Sequence, residues 1–510
     1  MAFPARPAAR RTGFQSRPAH VRLLSENVGL RNAANRIPSC TIMEAMPFRP
    51  WTRWKSERAQ PSTLAEEVVR LAADARVHSL FEWFRSHQLA IADFQLAITA
   101  IPAPPFAEQA RAAWLAGRLQ ALGLATTTDA VGNLLALRPQ GNPPSVSTAM
   151  ADPDAALPPG THPEAPVIAI SAHLDTVFPA STPLHVRRDQ ALLLGPGISD
   201  NGSGLAALWA LAAAFQEAAI PTALPLLFIA NVGEEGEGNL RGMKHLYRQR
   251  FPAAAQSPAA VQSPAPSMSL LIALDGAGSE SIISQALGSR RFEIVISGPG
   301  GHSWSDYGAP NPIVAAALVV EALFRIPLPA DPRTTLNIGS IEGGTSVNTI
   351  PERAVLKVDL RSADPKVLDG LEQRLCRVVE DACAETQAHS SPARPCLQHT
   401  IAMLGERPAG ELSAASPLLA AIRAVDAHLG IGSQILRAST DANIPLSLGL
   451  EAISLGSGGS GGGAHTLHEW FNPAGREQAL KRLALLILLL AGLPAQGAPV
   501  SGDSNARRSA

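Results

Sequence analysis

The chain has 510 residues, which is long for one hydrophobic core and predicts two domains. Its formal net charge of −1 gives no general case for nucleic-acid binding. The longest strongly apolar run, at 483–493, is too short to span a bilayer and predicts a buried C-terminal helix.

Charge is unevenly distributed along the chain. Residues 1–60 hold 11 Lys and Arg against three Glu, a net charge of +8, so the remaining 450 residues carry −9. This segment lacks the apolar region of a secretory signal, and its composition favours a disordered basic arm over a transit-like or nucleic-acid-binding one. Residues 498–510 are expected to form a disordered tail.

The four cysteines form no CxxC pair, which favours reduced thiols and a cytoplasmic location.

Residues 61–287 alternate between strand and helix patterns and predict the first part of a catalytic domain. The apolar stretch at 166–175 is typical of a strand buried on both faces of a parallel sheet. The other predicted elements are a helix at 110–124, a strand at 132–139, a helix at 202–215, and strands at 225–232 and 269–275. The pattern predicts an α/β fold, with a mixed, mostly parallel sheet flanked by helices. Pro/Ala/Ser-rich stretches at 140–165 and 252–268 indicate surface insertions.

Residues 288–405 follow a different pattern. Their predicted order is β-α-β-β-α-β, the order of a ferredoxin-like open sheet with two helices on one face. Residues 406–497 return to the first pattern and predict the second part of the catalytic domain. The small domain is therefore expected to be inserted into the large one.

Acids and histidines cluster at the predicted strand ends of the large domain. In an open α/β sheet, ligands bind outside the carboxyl ends of the strands, so these side chains are expected to face one crevice. The candidates are His173, Asp175, Asp200, Glu234, Glu235, Asp275 and His465.

This set of donors predicts a site for two metal ions. Imidazole and carboxylate ligands without a thiolate suit Zn²⁺, with Mn²⁺ or Co²⁺ as alternatives. Asp175 can orient the imidazole of His173, and the two oxygens of Asp200 can bridge two ions. Adjacent residues of a strand point apart, so one of Glu234 and Glu235 is expected to bind metal while the other takes a proton from the activated water.

Eight motifs in order resemble the M20 metallopeptidases: "SAHLDTVFP", "GISDNGSG", "NVGEEGEG", "ALDG", "GPGGHSW", "GGTSVNTIP", "VDLRS" and "AHTLHEWF". The resemblance covers roughly residues 90–490 and implies a zinc-exopeptidase-like fold. It implies that one metal takes His173 and Asp275, the other takes Glu235 and His465, and Asp200 bridges both with a cis bond to Asn201. It also implies Glu234 as the general base and Asp175 as the acid that orients a ligating histidine.

The same resemblance gives the inserted domain a role as a dimerisation lid. His302 matches a lid histidine that reaches the neighbouring subunit's site to stabilise the oxyanion. Asn348 and Arg361 match lid residues that contact substrate, with Arg361 suited to a terminal carboxylate. In "HTLHE", His468 is a rival ligand to His465, but His465 has the family's Glu four residues later.

These observations predict a metal-dependent hydrolase that cleaves an amide or peptide bond through a metal-bridged water and a Glu general base. The expected substrate is a di- or tripeptide with a free amino terminus. The resemblance implies this because Asp275 occupies a position that is also Asp in family members that resemble aminopeptidases and dipeptidases. An N-acyl-amino-acid deacylase uses the same machinery and is the first alternative. A catalytically inactive binding or scaffold protein is the alternative from another class. The expected assembly is a homodimer through the lid, without nucleic-acid or membrane partners.

Overall fold

The structure is a computed structural model that describes residues 63–141, 166–248 and 267–495. The basic arm predicted at 1–60 and the tail predicted at 498–510 lie outside these residues, as do nearly all of the insertions predicted at 140–165 and 252–268. Across the described parts of the chain, no helix combines the length and the apolar character needed to cross a membrane.

The described residues contain strands β1 (Ala125–Thr128), β2 (Leu134–Arg138), β3 (Pro166–His173), β4 (Arg187–Asp189), β5 (Leu192–Leu194), β6 (Leu226–Asn231), β7 (Ser267–Leu274), β8 (Ser281–Ala286), β9 (Gly288–Ser297), β10 (Gly301–His302), β11 (Thr335–Gly343), β12 (Thr349–Ile350), β13 (Arg353–Ser362), β14 (Gln398–Arg407), β15 (Gly410–Glu411), β16 (Gln434–Ala438), β17 (Glu451–Leu455), β18 (Ser460–Gly462) and β19 (Trp470–Asn472).

Their helices are α1 (Leu64–Ala72), α2 (Ala75–Ser86), α3 (Gln88–Thr99), α4 (Gln109–Ala121), α5 (Gly202–Glu217), α6 (Arg241–Arg248), α7 (Pro312–Phe324), α8 (Pro365–Ala388), α9 (Pro417–Leu429), α10 (Asn443–Ser447) and α11 (Arg476–Ala491). Several begin at side-chain caps that the sequence provides. For example, Asp364 accepts from the backbone N–H of Lys366 at the start of α8, directly before a proline.

Within the described residues, the main sheet has nine strands in the order β1-β2-β6-β3-β7-β17-β8-β15, with β16 paired to β8. Its centre is parallel, since β3 pairs in parallel with β6 and β7, and β17 pairs in parallel with β7. Antiparallel strands lie toward both margins. The predicted α/β fold class, with a mixed and mostly parallel sheet flanked by helices, is confirmed.

Both faces of the central strands are buried, which explains the nearly continuous apolar run in β3. Ile168 and Ile170 face the larger core, which includes α5 and α11. Val167 and Ala169 face a smaller core that includes α6 and α10. Since successive side chains of a strand point to opposite faces, a strand between two cores is apolar at most positions. The apolar run at 483–493 forms most of α11 and is buried within the larger core.

The inserted region forms a separate sheet in the order β11-β13-β9-β14, with every pair antiparallel. Helices α7 and α8 pack on one face through an apolar core that includes Phe292, Leu360 and Leu375. The chain order β9-α7-β11-β13-α8-β14 confirms the predicted ferredoxin-like β-α-β-β-α-β arrangement. The other face of this sheet has no covering helix in the described residues, and its residues become important below.

A buried ion pair joins α9 to α11. Arg482 donates through Nε and Nη2 to the two carboxylate oxygens of Asp426, at 2.5 and 2.8 Å. These side chains are only 1% and 4% exposed. We expect Asp426→Ala to lower the free energy of unfolding by about 3–5 kcal/mol, because it leaves a buried charge without its partner. Urea denaturation measures this loss.

A matched control removes an exposed carboxylate that also pairs with arginine. Asp93 is 63% exposed and contacts Arg188 at 2.7 Å, so Asp93→Ala should cost less than about 1 kcal/mol. Equal losses from the two variants would contradict a structural role for the buried pair.

Candidate metal centre

The centre begins at the carboxyl ends of neighbouring parallel strands. His173 is the last residue of β3, and Asp275 directly follows β7. His173 Nε2 lies 3.9 Å from Asp275 Oδ1 and 3.1 Å from Asp200 Oδ1. The sheet topology therefore brings together side chains that are about a hundred residues apart in sequence.

Asp200 lies on a tight turn into α5. Asn201 caps this helix by accepting from the backbone N–H of Gly204, and the Asp200–Asn201 peptide bond is cis, as the resemblance implies. A Cβ added at Gly204 would lie 2.1 Å from the Asn201 side-chain oxygen. This close approach explains why glycine follows so soon after Asp200 in "SDNGSG".

Glu469 holds the Asp200 turn in place. Its carboxylate accepts backbone N–H groups from Gly197, Ser199 and Asp200, each at 2.7 Å. Burial raises the pKa of Glu469 to about 7, although these hydrogen bonds oppose the shift. The pairing of β19 with β5 brings the two segments together. The glutamate of "HTLHE" thus supports the Asp200 turn.

His465 meets the same cluster from the loop that precedes β19. Its Nε2 lies 3.1 Å from Asp200 Oδ2 and 2.9 Å from Glu235 Oε1. Within the described residues, His468 has no hydrogen bond or ion pair with the predicted ligands; its backbone N–H donates to Thr466. Of the two histidines, the structure brings His465 to the cluster.

The position of the paired glutamates differs from the sequence-based expectation. Strand β6 ends at Asn231, and Gly233 at φ +63° redirects the chain before Glu234 and Glu235. Both glutamates lie in a loop, where strand alternation does not apply. Donor atoms of His173, Glu234 and Glu235 all lie within 4.8 Å of one another. The argument that the two carboxylates must point apart is therefore wrong.

Asp175 supports this loop more directly than expected. Its two oxygens accept the backbone N–H groups of Glu234 and Glu235 at 2.9 and 2.7 Å. His173 Nδ1 donates to the backbone carbonyl of Asp175 at 3.0 Å, while the carboxylate Oδ1 lies 3.6 Å from this nitrogen. One buried residue thus fixes the imidazole and the glutamate loop together.

Three overlapping groups of donor atoms emerge. Each group has its donor atoms within 4.8 Å of one another, and the groups are His173–Glu234–Glu235, His173–Asp200–Asp275 and Asp200–Glu235–His465. Imidazole nitrogens and carboxylate oxygens without a thiolate match the ligand chemistry of Zn²⁺ and of harder divalent ions. The residues present therefore fit a pair of divalent cations that share Asp200.

The electrostatics of the cluster reflect close contact between acids and histidines. Hydrogen bonds to Asp200 and Glu235 raise the pKa of His465 to about 10. Burial opposes protonation of His173, yet its carboxylate contacts raise its pKa well above the ordinary value. Burial also opposes ionisation of Asp200, but its two histidine contacts lower its pKa. The donors thus stabilise positive charge between them.

Sequence reasoning missed two charged residues of the site. Arg407, the last residue of β14, donates through Nη1 to Glu234 Oε1 at 2.8 Å and through Nη2 to the Glu234 backbone oxygen. Burial raises the pKa of Glu234 well above its ordinary value, and the charge of Arg407 opposes this shift. Asp441 is buried and accepts from Asn231 Nδ2 at 2.9 Å; burial raises its pKa to about 7.

A signal for Asp441 was available, since it follows β16, a strand parallel to β8 in the main sheet. The rule about strand ends would have included Asp441 had this strand been predicted. For Arg407 the sequence offers no comparable signal, because its partner is 173 residues away and follows a strand of a different sheet.

The predicted lid residues lie in two places. His302 and Asn348 are neighbours, since the backbone N–H of Ser303 donates to the Asn348 carbonyl at 3.0 Å. In the described residues, His302 has no hydrogen bond or ion pair with the predicted metal ligands; its Nδ1 accepts from the backbone of Trp304. Arg361 lies on the open face of the lid sheet and donates to Asp359 at 2.7 Å.

Comparisons with known families agree with this architecture. Residues 286–387 match the peptidase dimerisation domain of the M20 family, and residues 155–291 match peptidase family M28. A probable carboxypeptidase from Aspergillus clavatus is 31% identical over 247 residues, which cover 45% of this chain and 50% of that protein. The chain thus spans about half the length of the curated relatives it matches.

Two solved structures share the fold. The aminopeptidase PepT from Bacillus cereus has a TM-score of 0.59 at 18% identity, covering 79% of this chain and 99% of that one. A dinuclear metal-binding peptidase of the M20 family from Bacillus subtilis has a TM-score of 0.55 at 15% identity, covering 80% and 100%. The matched dimerisation domain, the shared fold and the assembled acids and histidines together confirm the chain's resemblance to the M20 metallopeptidases.

Proposed function

We propose that this protein is a dinuclear metal-dependent hydrolase that cleaves an amide or peptide bond of a small substrate. The observation that carries the proposal is the overlap of three donor groups through shared residues. Two of these groups share Asp200, which lies 3.1 Å from both His173 and His465. A purely structural set of ion pairs would not require five potential ligands to converge from separate segments.

The residues divide naturally into two ligand sets. His173 and Asp275 would hold one ion, Glu235 and His465 the other, and Asp200 would contribute one oxygen to each. Zinc suits these donors, with manganese or cobalt as alternatives. When bound, the two metal ions would polarise the scissile carbonyl and lower the pKa of a water molecule.

Glu234 is the proposed general base. Its carboxylate lies within the group that contains His173 and Glu235, which places it beside both ligand sets. It would take the proton of the attacking water and pass it to the leaving nitrogen. Asp175 holds its backbone, and Arg407 holds its side chain, so the carboxylate stays in one orientation.

The proposed substrate is a di- or tripeptide with a free amino terminus. The side chain of Asp275 is one methylene shorter than that of a glutamate, which would leave space for the substrate's amino end, and the surrounding carboxylates would favour a cation there. Arg361 would bind the far carboxylate and limit the length of the peptide. A cytoplasmic location and the domain boundaries at 61–287, 288–405 and 406–497 remain predictions.

A substrate panel on the metal-loaded protein tests this proposal. We expect unblocked di- and tripeptides to show higher kcat/KM than their N-acetylated forms and than N-acetyl amino acids. A preference for the acylated compounds would identify a deacylase. No hydrolysis of any amide, with metal bound, would favour the inactive binding or scaffold protein.

Assembly through the lid gives a further prediction. The oxyanion role proposed for His302 requires a neighbouring subunit, and the exposed Trp304 and Tyr307 beside it are 87% and 88% accessible. We expect mixtures of inactive His302→Ala and inactive Glu234→Gln chains to regain part of the activity, because hybrid dimers contain one complete site. Hybrid dimers that remain inactive, with subunit exchange verified by mass, would assign His302 to its own subunit or to a structural role.

A further inference from the structure

The open face of the lid sheet carries an unusual concentration of arginine next to the proposed active site. Strand register places Arg361 opposite Ser289, and Ser289 opposite Arg407. Arg291 is two residues beyond Ser289, on the same face, and lies opposite Asp359. Arg291, Arg361 and Arg407 therefore project from three adjacent strands on the side away from α7 and α8.

Contacts place this face directly over the glutamate loop. Arg291 Nη1 donates to the backbone oxygen of Gly236 at 2.9 Å, one residue after Glu235. Arg407 is tied to Glu234. Burial lowers the pKa of Arg291, and the positive charges of Arg407 and Arg361 act in the same direction. Arg291 is thus close enough to Arg407 and to Arg361 to be repelled by both.

The carboxylate beside Arg291 and Arg361 does not occupy all of their N–H donors. Arg291 and Arg361 share one carboxylate, Asp359, at 3.5 and 2.7 Å. Among the described residues, Arg291 Nη2 and both terminal nitrogens of Arg361 have no hydrogen-bond partner, and the side chains remain 29% and 40% exposed. Each guanidinium has donors left for one further carboxylate, because arginine binds such groups through paired N–H donors.

The spacing of Arg291 and Arg361 suits a ligand that carries two carboxylates, one for each arginine. Arg291 and Arg361 are diagonal neighbours on adjacent antiparallel strands, a relationship that separates side chains by about 7–8 Å at their bases. Two flexible arginines at this spacing can converge on the α-carboxylate and side-chain carboxylate of a single amino acid. We propose that the lid selects substrates with an acidic residue, Glu or Asp, at the carboxyl side of the cleaved bond, with Arg291 as the residue that determines this specificity.

This inference rests on the proposed hydrolase function, and kinetics with an isosteric pair test it. We expect kcat/KM for Ala-Glu to exceed that for Ala-Gln by roughly 10- to 100-fold, the range for a hydrogen bond to a charged group. Arg291→Gln should reduce this ratio to near one, mainly through a higher KM for Ala-Glu, while Arg291→Lys should keep part of it. Circular dichroism and metal content verify that the variants are folded and loaded.

Arg353 provides a matched control. It lies at the other end of β13, on the same face as Arg361 and exposed, eight residues away and so about 26 Å along the strand. Arg353→Gln removes the same charge and should leave the preference for Ala-Glu unchanged. A wild-type ratio near one, or an equal ratio in wild type and Arg291→Gln, would overturn the inference while leaving the hydrolase proposal intact.

A binding measurement separates failure of the inference from failure of the proposed function. Titration calorimetry of the metal-loaded wild-type protein with free L-glutamate and L-glutamine requires no turnover. We expect glutamate to bind at least about 10-fold more tightly, and Arg291→Gln to remove the difference. Preferential binding of glutamate without hydrolysis of any peptide would support the lid site and reject the hydrolase. Equal binding of the two amino acids would reject the lid site.

Discussion

The Glu234→Gln variant is expected to lose hydrolysis by roughly 10²–10⁴-fold while it retains its metal ions. The amide keeps the shape of the side chain and its contact with Arg407 through the side-chain oxygen, but it cannot accept a proton from water. Glu234 is 5% exposed and is held at both backbone and side chain, so the substitution should change chemistry more than structure. Steady-state kinetics and elemental analysis of the same preparation measure the two effects.

Neighbouring glutamates provide the controls. Glu235→Gln should weaken metal binding itself, because Glu235 Oε1 faces His465 at 2.9 Å in a ligand group. Glu237 is exposed in the short helical turn that follows, so Glu237→Gln should retain both metal and activity. Full activity in Glu234→Gln would show that the base has been assigned to the wrong residue.

Replacing Asp200, the proposed shared ligand, should have the broadest effect on metal binding. Asp200→Ala is expected to abolish hydrolysis and to weaken binding at both positions, because Asp200 contacts His173 through one oxygen and His465 through the other. The loss of affinity should exceed the roughly 10–100-fold that removal of a supporting residue costs. Titration calorimetry with Zn²⁺ on the stripped protein measures it.

The comparison variant for Asp200→Ala is His465→Ala. This variant should weaken metal binding at one position and leave metal binding at the other position unchanged. His465 is half-exposed and belongs to only one of the three donor groups. If Asp200→Ala retained one site at wild-type affinity, Asp200 would not be shared between the ions.

Much of the fold could be predicted from the sequence because its signals are local. An apolar strand such as β3 carries its burial on both faces in its own composition, and the lid's order of strands and helices follows from short periodic segments. The convergence of candidate ligands could be predicted because parallel strands end at the same edge of a sheet. His173 and Asp275 therefore converge through topology that the sequence pattern already indicates, whereas Asp200 joins them from the turn into α5.

The remaining features depend on contacts that no local pattern encodes. The sequence pattern predicts a strand end at the glutamates, but the left-handed Gly233 turns the chain out of β6 before them. Arg407 reaches Glu234 from the last residue of β14, a strand of the lid sheet, and the positions of Arg291, Arg361 and Arg407 on one face depend on the register of three strands. Such contacts follow from the assembled tertiary structure.

Metal stoichiometry tests the central claim most directly. The purified protein, loaded with Zn²⁺ or Mn²⁺ and freed of excess by gel filtration, should contain close to two ions per chain by elemental analysis. Chelation should remove both ions and abolish hydrolysis, and the added ion should restore it. A loaded protein that retains no metal, or that hydrolyses its best substrate equally well after complete chelation, would contradict the account.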